Sequence, residues 1–345
     1  MLASRSFRAL SPRWTCMQCR SFSTTKRSFA EAQAAQIKKL GVIGGGQMGL
    51  GIALTASRMA KVPVTVCDNS QKSLDKGMAF AGTYLRPSRH GSHHAAVAND
   101  DPDKLLSKDV GKEKISQSDA DAARGRLTPT TKMDDLGDVD MVIEAVPEIA
   151  DLKKSIFGSL AKICPPHAIL ATNTSSISIT LIARATTDDP TNLDAPSRVI
   201  STHFMNPVPV QKGVEIITGL QTSPQTLATA VEFCKQMGKI PSQSADSPGF
   251  LANRILMPYI NEAIICLETG VGAEKDIDDI MRNGTNVPMG PLQLADFIGL
   301  DTCLSIMEVL HTQLGDSKYR PSVRLRQMVD AGWLGKKSGK GFYNY

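Results

Sequence analysis

Apolar residues along the chain come in two rhythms. From residue 38 to 218, short apolar runs recur at 38–43, 64–68, 141–146, 168–172, 198–204 and 213–218, each the length of one buried strand. Between them, 47–60, 70–85, 151–163 and 178–184 carry helical spacing. Strands alternating with helices predict a parallel, doubly wound sheet. Past residue 222 the strand-like runs stop and helices dominate, at about 224–237, 249–270, 274–283, 291–310 and 321–331. Pro248 falls near the first turn of the long helix, where a missing amide hydrogen costs little. The predicted fold is therefore α/β, a Rossmann-like doubly wound sheet over 38–222 followed by an all-helical domain over 223–345. A polar stretch at 86–126, rich in His, Ser, Asp and Lys, fits neither rhythm. It reads as an excursion with a helical segment near 108–123.

Composition fits two globular domains. The chain has 345 residues, of which 41% are hydrophobic, enough for a sizeable core. No apolar run approaches the roughly 18 to 20 residues that span a bilayer. The net charge of +5 is concentrated at one end. Residues 1–30 hold Arg5, Arg8, Arg13, Lys26, Arg20 and Arg27 with no acid, and are dense in Ser and Thr. That pattern reads as a mitochondrial presequence, cleaved between residues 20 and 36; a basic tail is the plainer alternative. Taking those six away from the 39 basic residues leaves 33 against 34 acidic ones, a net of −1. Charge then gives no reason to expect nucleic-acid binding.

Seven cysteines include Cys16 and Cys19, a CxxC with no second pair, so no zinc site is predicted. Cys67, Cys164, Cys234, Cys266 and Cys303 sit in apolar surroundings and read as small core residues. His90, His93 and His94 lie in the polar excursion and read as solvated.

Gly44-Gly45-Gly46-Gln47-Met48-Gly49 satisfies G-x-G-x-x-G, follows a predicted strand and opens a predicted helix. Gly44 permits the tight turn, Gly46 lets backbone approach a pyrophosphate, and Gly49 lets the helix pack closely on its strand. Free amides at the helix start then face the anion. Asp68 ends the next strand, where it would accept hydrogen bonds from ribose hydroxyls and repel the extra phosphate of NADP. Neither Asn69 nor Ser70 is the arginine an NADP site needs, so the predicted cofactor is NAD.

Two further segments follow strands on their carboxyl side, where such sheets bind ligands. They are Asn173-Thr174-Ser175-Ser176 and His203-Phe204-Met205-Asn206-Pro207-Val208-Pro209. Glu215 lies twelve residues beyond His203, and a hairpin between them would bring carboxylate and imidazole together. A base near neutral pKa taking a hydroxyl proton while hydride leaves the same carbon needs such a pair. A structural histidine at a strand end is the plainer alternative.

These motifs, with Ser-Pro-Gly-Phe-Leu-Ala-Asn-Arg at 247–254, Pro-Met-Gly-Pro at 288–291 and the closing Gly-Lys-Lys-Ser-Gly-Lys-Gly-Phe-Tyr, resemble the L-3-hydroxyacyl-CoA dehydrogenase family from about residue 38 to 345. The resemblance is to the mitochondrial short-chain type, with 3-hydroxybutyryl-CoA dehydrogenases as near relatives. It implies reversible NAD-dependent oxidation of an L-3-hydroxyacyl-CoA to a 3-ketoacyl-CoA, as in fatty-acid β-oxidation in the mitochondrial matrix. His203 would be the general base, Glu215 its partner, and Ser175 would lie near substrate and nicotinamide. Asn253 would touch the substrate; Asn173, Asn206, Glu148, Lys153 and Lys337 would serve the cofactor, with Lys337 tying the tail across the cleft. For Glu148, Lys153 and Lys337 an ordinary surface charge is the alternative. A helical arm at about 75–128 and a homodimer through the helical domain also follow from the resemblance. The family's coenzyme A contacts fall near 76–90, where this chain departs from the pattern, with Ala81 near the place of a serine. Two rivals remain: a same-fold dehydrogenase of a free hydroxy acid or sugar acid, and a catalytically idle NAD-binding protein.

Overall fold

Residues 33–84 and 117–345 are described by a computed structural model, without the side chains of 80–84 and 117. The predicted presequence at 1–30, most of the polar excursion and its histidines at 90, 93 and 94 lie outside the described residues.

Four-residue apolar runs make the inner strands because both their faces are covered. β1 (Leu40–Ile43), β2 (Val64–Cys67), β4 (Met141–Glu144) and β5 (Ile169–Thr172) are buried throughout. With β3 (Leu127–Thr130), β6 (Val199–Phe204), β7 (Gly213–Thr218) and β8 (Ile240–Ala245) they form one sheet in the order β3-β2-β1-β4-β5-β6-β7-β8. The order reverses between β1 and β4, which opens a crevice at their carboxyl ends. α1 (Gln47–Thr55) and α6 (Pro224–Gln236) help cover one face around Val42, Ile52, Ile143, Ile200 and Phe233. α4 (Ala150–Ile163) and α5 (Ile179–Arg184) cover the other around Val142, Phe157, Leu170 and Ile182. α2 (Gln71–Tyr84) follows β2, and α3 (Gln117–Gly125) precedes β3.

The sheet departs from the expectation at both edges and at one pairing. Strands do not stop at residue 222: α6 packs on the sheet and β8 pairs with β7. β3 lies at the end of the polar stretch, where the pattern predicts no strand. Both are edge strands, largely unburied, and each carries a proline, Pro129 and Pro241, which an edge tolerates because one row of its amides needs no partner. An edge strand needs no continuous apolar run, so hydrophobic pattern misses it. The sheet is also not wholly parallel, because β7 runs antiparallel to β6.

The helical layer is α7 (Ala252–Glu268), α8 (Glu274–Thr285), α9 (Pro291–Ile298), α10 (Leu300–Leu314) and α11 (Val323–Asp330). Met257, Ile260, Ile264, Leu292, Cys303 and Leu310 form its core. The single helix expected over 291–310 is broken at Gly299, whose φ of +104° only glycine adopts readily. Two buried carboxylates organise this layer. Asp278 accepts from the amides of Leu292 and Gln293, satisfying the first turn of α9. Asp296 accepts from the amides of Phe342 and Tyr343 and from the Tyr345 hydroxyl, which docks the C-terminal tail.

Candidate active site

The first wall of the crevice is the glycine loop. Gly44 has φ +108°, and a Cβ there would stand 2.7 Å from the Ala145 carbonyl of the neighbouring loop. A Cβ on Gly49 would stand 2.0 Å from the Gly44 carbonyl, so only glycine lets α1 pack this close. Gly46 is different: nothing lies within 4 Å of its added Cβ. No side chain caps α1 there, so its first amides stand open at the positive end of the helix. Asp68 Oδ2 accepts from the Gly45 amide at 2.7 Å and Oδ1 from the Ser70 amide at 2.8 Å. The carboxylate is thereby held against the loop, with further lone pairs on both oxygens.

The second wall is the Asn173–Ser176 turn after β5. Asn173 Oδ1 accepts from the Phe204 amide at 2.8 Å, which binds the end of β5 to the end of β6. Glu148 gathers the rest. Its Oε1 accepts from the Thr174 hydroxyl at 2.6 Å, the Ser175 and Ser176 amides at 2.8 and 2.9 Å, and both serine hydroxyls. Burial pushes the Glu148 carboxyl up, but the Lys153 ammonium and these donors outweigh it and hold it below its usual range.

The third wall is the β6–β7 hairpin. Antiparallel register sets His203 directly opposite Glu215, on the same face. His203 Nδ1 donates to Glu215 Oε2 at 2.7 Å. Glu215 Oε1 accepts from the Leu251 and Ala252 amides, both at 2.8 Å, at the start of α7. Burial raises the Glu215 pKa, but hydrogen bonds from His203 and the Ala252 and Leu251 amides bring it below the ordinary value. Phe250, buried at φ +48°, sets its ring edge-on to His203 with centroids 6.2 Å apart. One residue into α7, Asn253 Nδ2 donates to the Ser175 carbonyl at 3.2 Å. The helical layer thus touches both the histidine pair and the serine turn.

Three predicted positions make none of these hydrogen bonds. Asn206 lies beyond β6, before a cis peptide bond to Pro207. Lys153 is not a surface charge: it is 1% exposed, and its ammonium lies 2.7 Å from Glu144 and 3.4 Å from Glu148. Lys337 pairs with Asp301 at 2.6 Å, so its ion pair ties the tail within the helical layer rather than across the cleft. Sequence pattern assigns no role to Glu144 or Phe250. Glu144 left a signal, a lone charge at the end of the apolar run Met-Val-Ile-Glu. The Leu251 and Ala252 amides left none, because every residue has one.

Family models for the 3-hydroxyacyl-CoA dehydrogenase NAD-binding domain and C-terminal domain match residues 39–247 and 249–345. The chain belongs to the 3-hydroxyacyl-CoA dehydrogenase family. It is 46% identical over 310 residues to a probable 3-hydroxybutyryl-CoA dehydrogenase of Bacillus subtilis, covering 90% of this chain and 98% of that one. It is 36% identical over 330 residues to the human mitochondrial hydroxyacyl-coenzyme A dehydrogenase, covering 94% and 97%. The crystal structure of (S)-3-hydroxybutyryl-CoA dehydrogenase from Ralstonia eutropha superposes with a TM-score of 0.78 at 42% identity, covering 90% and 99%. The dehydrogenase's sheet domain is thus its NAD-binding domain, and the glycine loop fits that cofactor: open space at Gly46, an uncapped helix start and an acidic residue ending β2.

Two outcomes follow from this geometry. Gly49→Ala is expected to destabilise the dehydrogenase by about 1–3 kcal/mol through overpacking. Gly46→Ala is expected to leave Tm unchanged yet weaken NADH binding about tenfold, some 1.4 kcal/mol. Thermal melts and NADH fluorescence titrations check both, and a Gly46→Ala protein with native affinity contradicts the phosphate approach. Because Glu215's folded pKa lies below its ordinary 4.5, its stabilisation is complete above that value and is lost as pH falls through the folded one. Glu215→Gln should flatten the acid side of the Tm-against-pH curve; an unchanged acid slope counts against an ionised Glu215.

Proposed function

We propose that His203 is the base with which this dehydrogenase oxidises the C3 hydroxyl of an L-3-hydroxyacyl-CoA. The observation that carries the reading is the 2.7 Å bond from His203 Nδ1 to Glu215. A ring nitrogen that donates to a carboxylate holds its proton there, which leaves Nε2 as the acceptor. Nε2 takes the hydroxyl proton. Bound NAD would accept the hydride that leaves the same carbon, while the chain supplies orientation, a base and electrostatics. Glu215 fixes the tautomer and stabilises the imidazolium that forms. In the reverse direction the imidazolium returns its proton to the ketone oxygen.

Ser175 stands beside substrate and nicotinamide, fixed by Glu148 and by Asn253. Asn253 reaches the substrate from α7, and Asn206 the cofactor side. Asp68 would accept from the ribose hydroxyls, and Glu148 and Asn173 would complete the cofactor set. The thioester lies between sheet and helical layer, and the activity belongs to fatty-acid β-oxidation in the mitochondrial matrix. The arginine-rich, acid-free residues 1–30 support that location, as does the human relative named mitochondrial. The protein is a homodimer through its helical domain. Val271 and Ile280 expose 77% and 67% of their surface there. With Tyr259, Cys266, Ile277 and Met281 they line an apolar groove of about 600 Å³ between α7 and α8. Clustered exposure of this kind marks a surface that another chain covers.

Purified chain lacking residues 1–30 is expected to oxidise NADH rapidly with acetoacetyl-CoA and not with free acetoacetate. Turnover with the free acid would instead favour a hydroxy-acid dehydrogenase, and NADH binding without turnover an idle binding protein. His203→Gln is expected to lose about 10²–10⁴-fold in kcat with NADH affinity retained; near-native kcat removes His203 from the reaction. Import of the full chain into isolated mitochondria, followed by native mass measurement, is expected to give a shortened protein of dimeric mass. An unprocessed or monomeric product contradicts the location or the dimer respectively.

A further inference from the structure

Beneath the Asn173–Ser176 turn lies a chain of three charges, Glu144, Lys153 and Glu148. Glu144, at the carboxyl end of β4, is fully buried, and so is Lys153 on α4. Lys153 Nζ donates to both Glu144 oxygens, at 2.7 and 3.0 Å. Glu144 is itself held by the Val146 amide at 2.6 Å and the Thr172 hydroxyl at 2.7 Å. The same ammonium stands farther from Glu148, 3.4 Å from Oε2. Two carboxylates therefore compete for one ammonium, and the buried one holds it more closely. Glu148 keeps its other oxygen for the five donors of the serine turn.

A buried ion pair is a poor device for stability, because desolvating both charges offsets most of their attraction. Its worth here is positional. We propose that Glu144 is a positioning residue of this dehydrogenase, which holds Lys153 back from Glu148 so that Glu148 is left to fix the Thr174–Ser176 turn and with it Ser175. With Glu144 uncharged, the ammonium's remaining full charge partner is Glu148, at the end of a short loop. It draws that carboxylate toward itself and away from the Ser175 and Ser176 amides. The catalytic consequence rests on the reading of Ser175 given under Proposed function; the geometric one does not.

The test is hydrogen exchange on Glu144→Gln without cofactor, beside steady-state kinetics with acetoacetyl-CoA. Glutamine keeps the shape and most hydrogen bonds of the site and removes the charge. The expected result is about tenfold faster exchange at the Ser175 and Ser176 amides, the loss of a charge-assisted bond. Amides of β1 and β6 should be unchanged, and kcat should fall with little change in KM. Native protection at Ser175 and Ser176 overturns the proposal whatever the activity. Faster exchange there with native kcat upholds the positioning and overturns the role given to Ser175. A general rise in exchange across the sheet marks Glu144 as merely structural and also overturns the proposal. Should Glu144→Gln fail to fold, Glu144→Met with Lys153→Met replaces the pair by apolar chains of similar size, which buried pairs often tolerate. With no ammonium left to draw Glu148 away, that protein is expected to melt near the native temperature and to keep native protection at Ser175 and Ser176, and faster exchange there overturns the proposal.

Discussion

The two carboxylate oxygens of Glu215 serve two different parts of the chain. One accepts from His203, across the hairpin within the sheet domain. The other accepts from two amides at the start of α7, the first helix of the helical layer. A helix start carries unsatisfied N–H groups and a partial positive charge, and both favour an anion. The group that orients the histidine is therefore also the group that satisfies the junction between layers. The imidazole ring and α7 are positioned by the same atom set, and Asn253, one residue into the helix, meets Ser175 as a consequence.

Charge is distributed around the crevice by the same economy. Glu144, Lys153 and Glu215 are buried and Glu148 lies nearer solvent, and each has a charged or multiply hydrogen-bonded partner. The buried cysteines behave in the opposite way. Burial pushes the thiols of Cys67 and Cys164 to about 11 and those of Cys234 and Cys303 to about 12, which leaves them as small core residues rather than nucleophiles. Lys239 lies between these cases. Burial lowers its pKa to about 8, and its ammonium donates to the Val208 and Gln211 carbonyls, holding the turn that follows Asn206.

The sequence by itself determined the inner strands, the glycine loop and the histidine segment. Each rests on a local rule: four apolar residues for a strand covered on both faces, glycine where a Cβ would meet a carbonyl, and chemistry at the carboxyl end of a parallel strand. The pairing of His203 with Glu215 was legible because a twelve-residue hairpin spacing can be counted. Tertiary structure decided the rest. The edge strands β3 and β8 are held by neighbours rather than by their own apolar faces, so no run of residues announced them. The break at Gly299 looks in sequence like one more helix residue, and only the backbone reveals its positive φ. Lys153 reads as a surface lysine because α4 is amphipathic and lysines ordinarily lie outside. Only the arrival of Glu144 from β4 and Glu148 from the following loop makes its burial tolerable. The Glu215 contact with α7 was the least legible of all, because its donors are backbone amides, identical at every residue, and only the folded path of the chain selects which two meet the carboxylate.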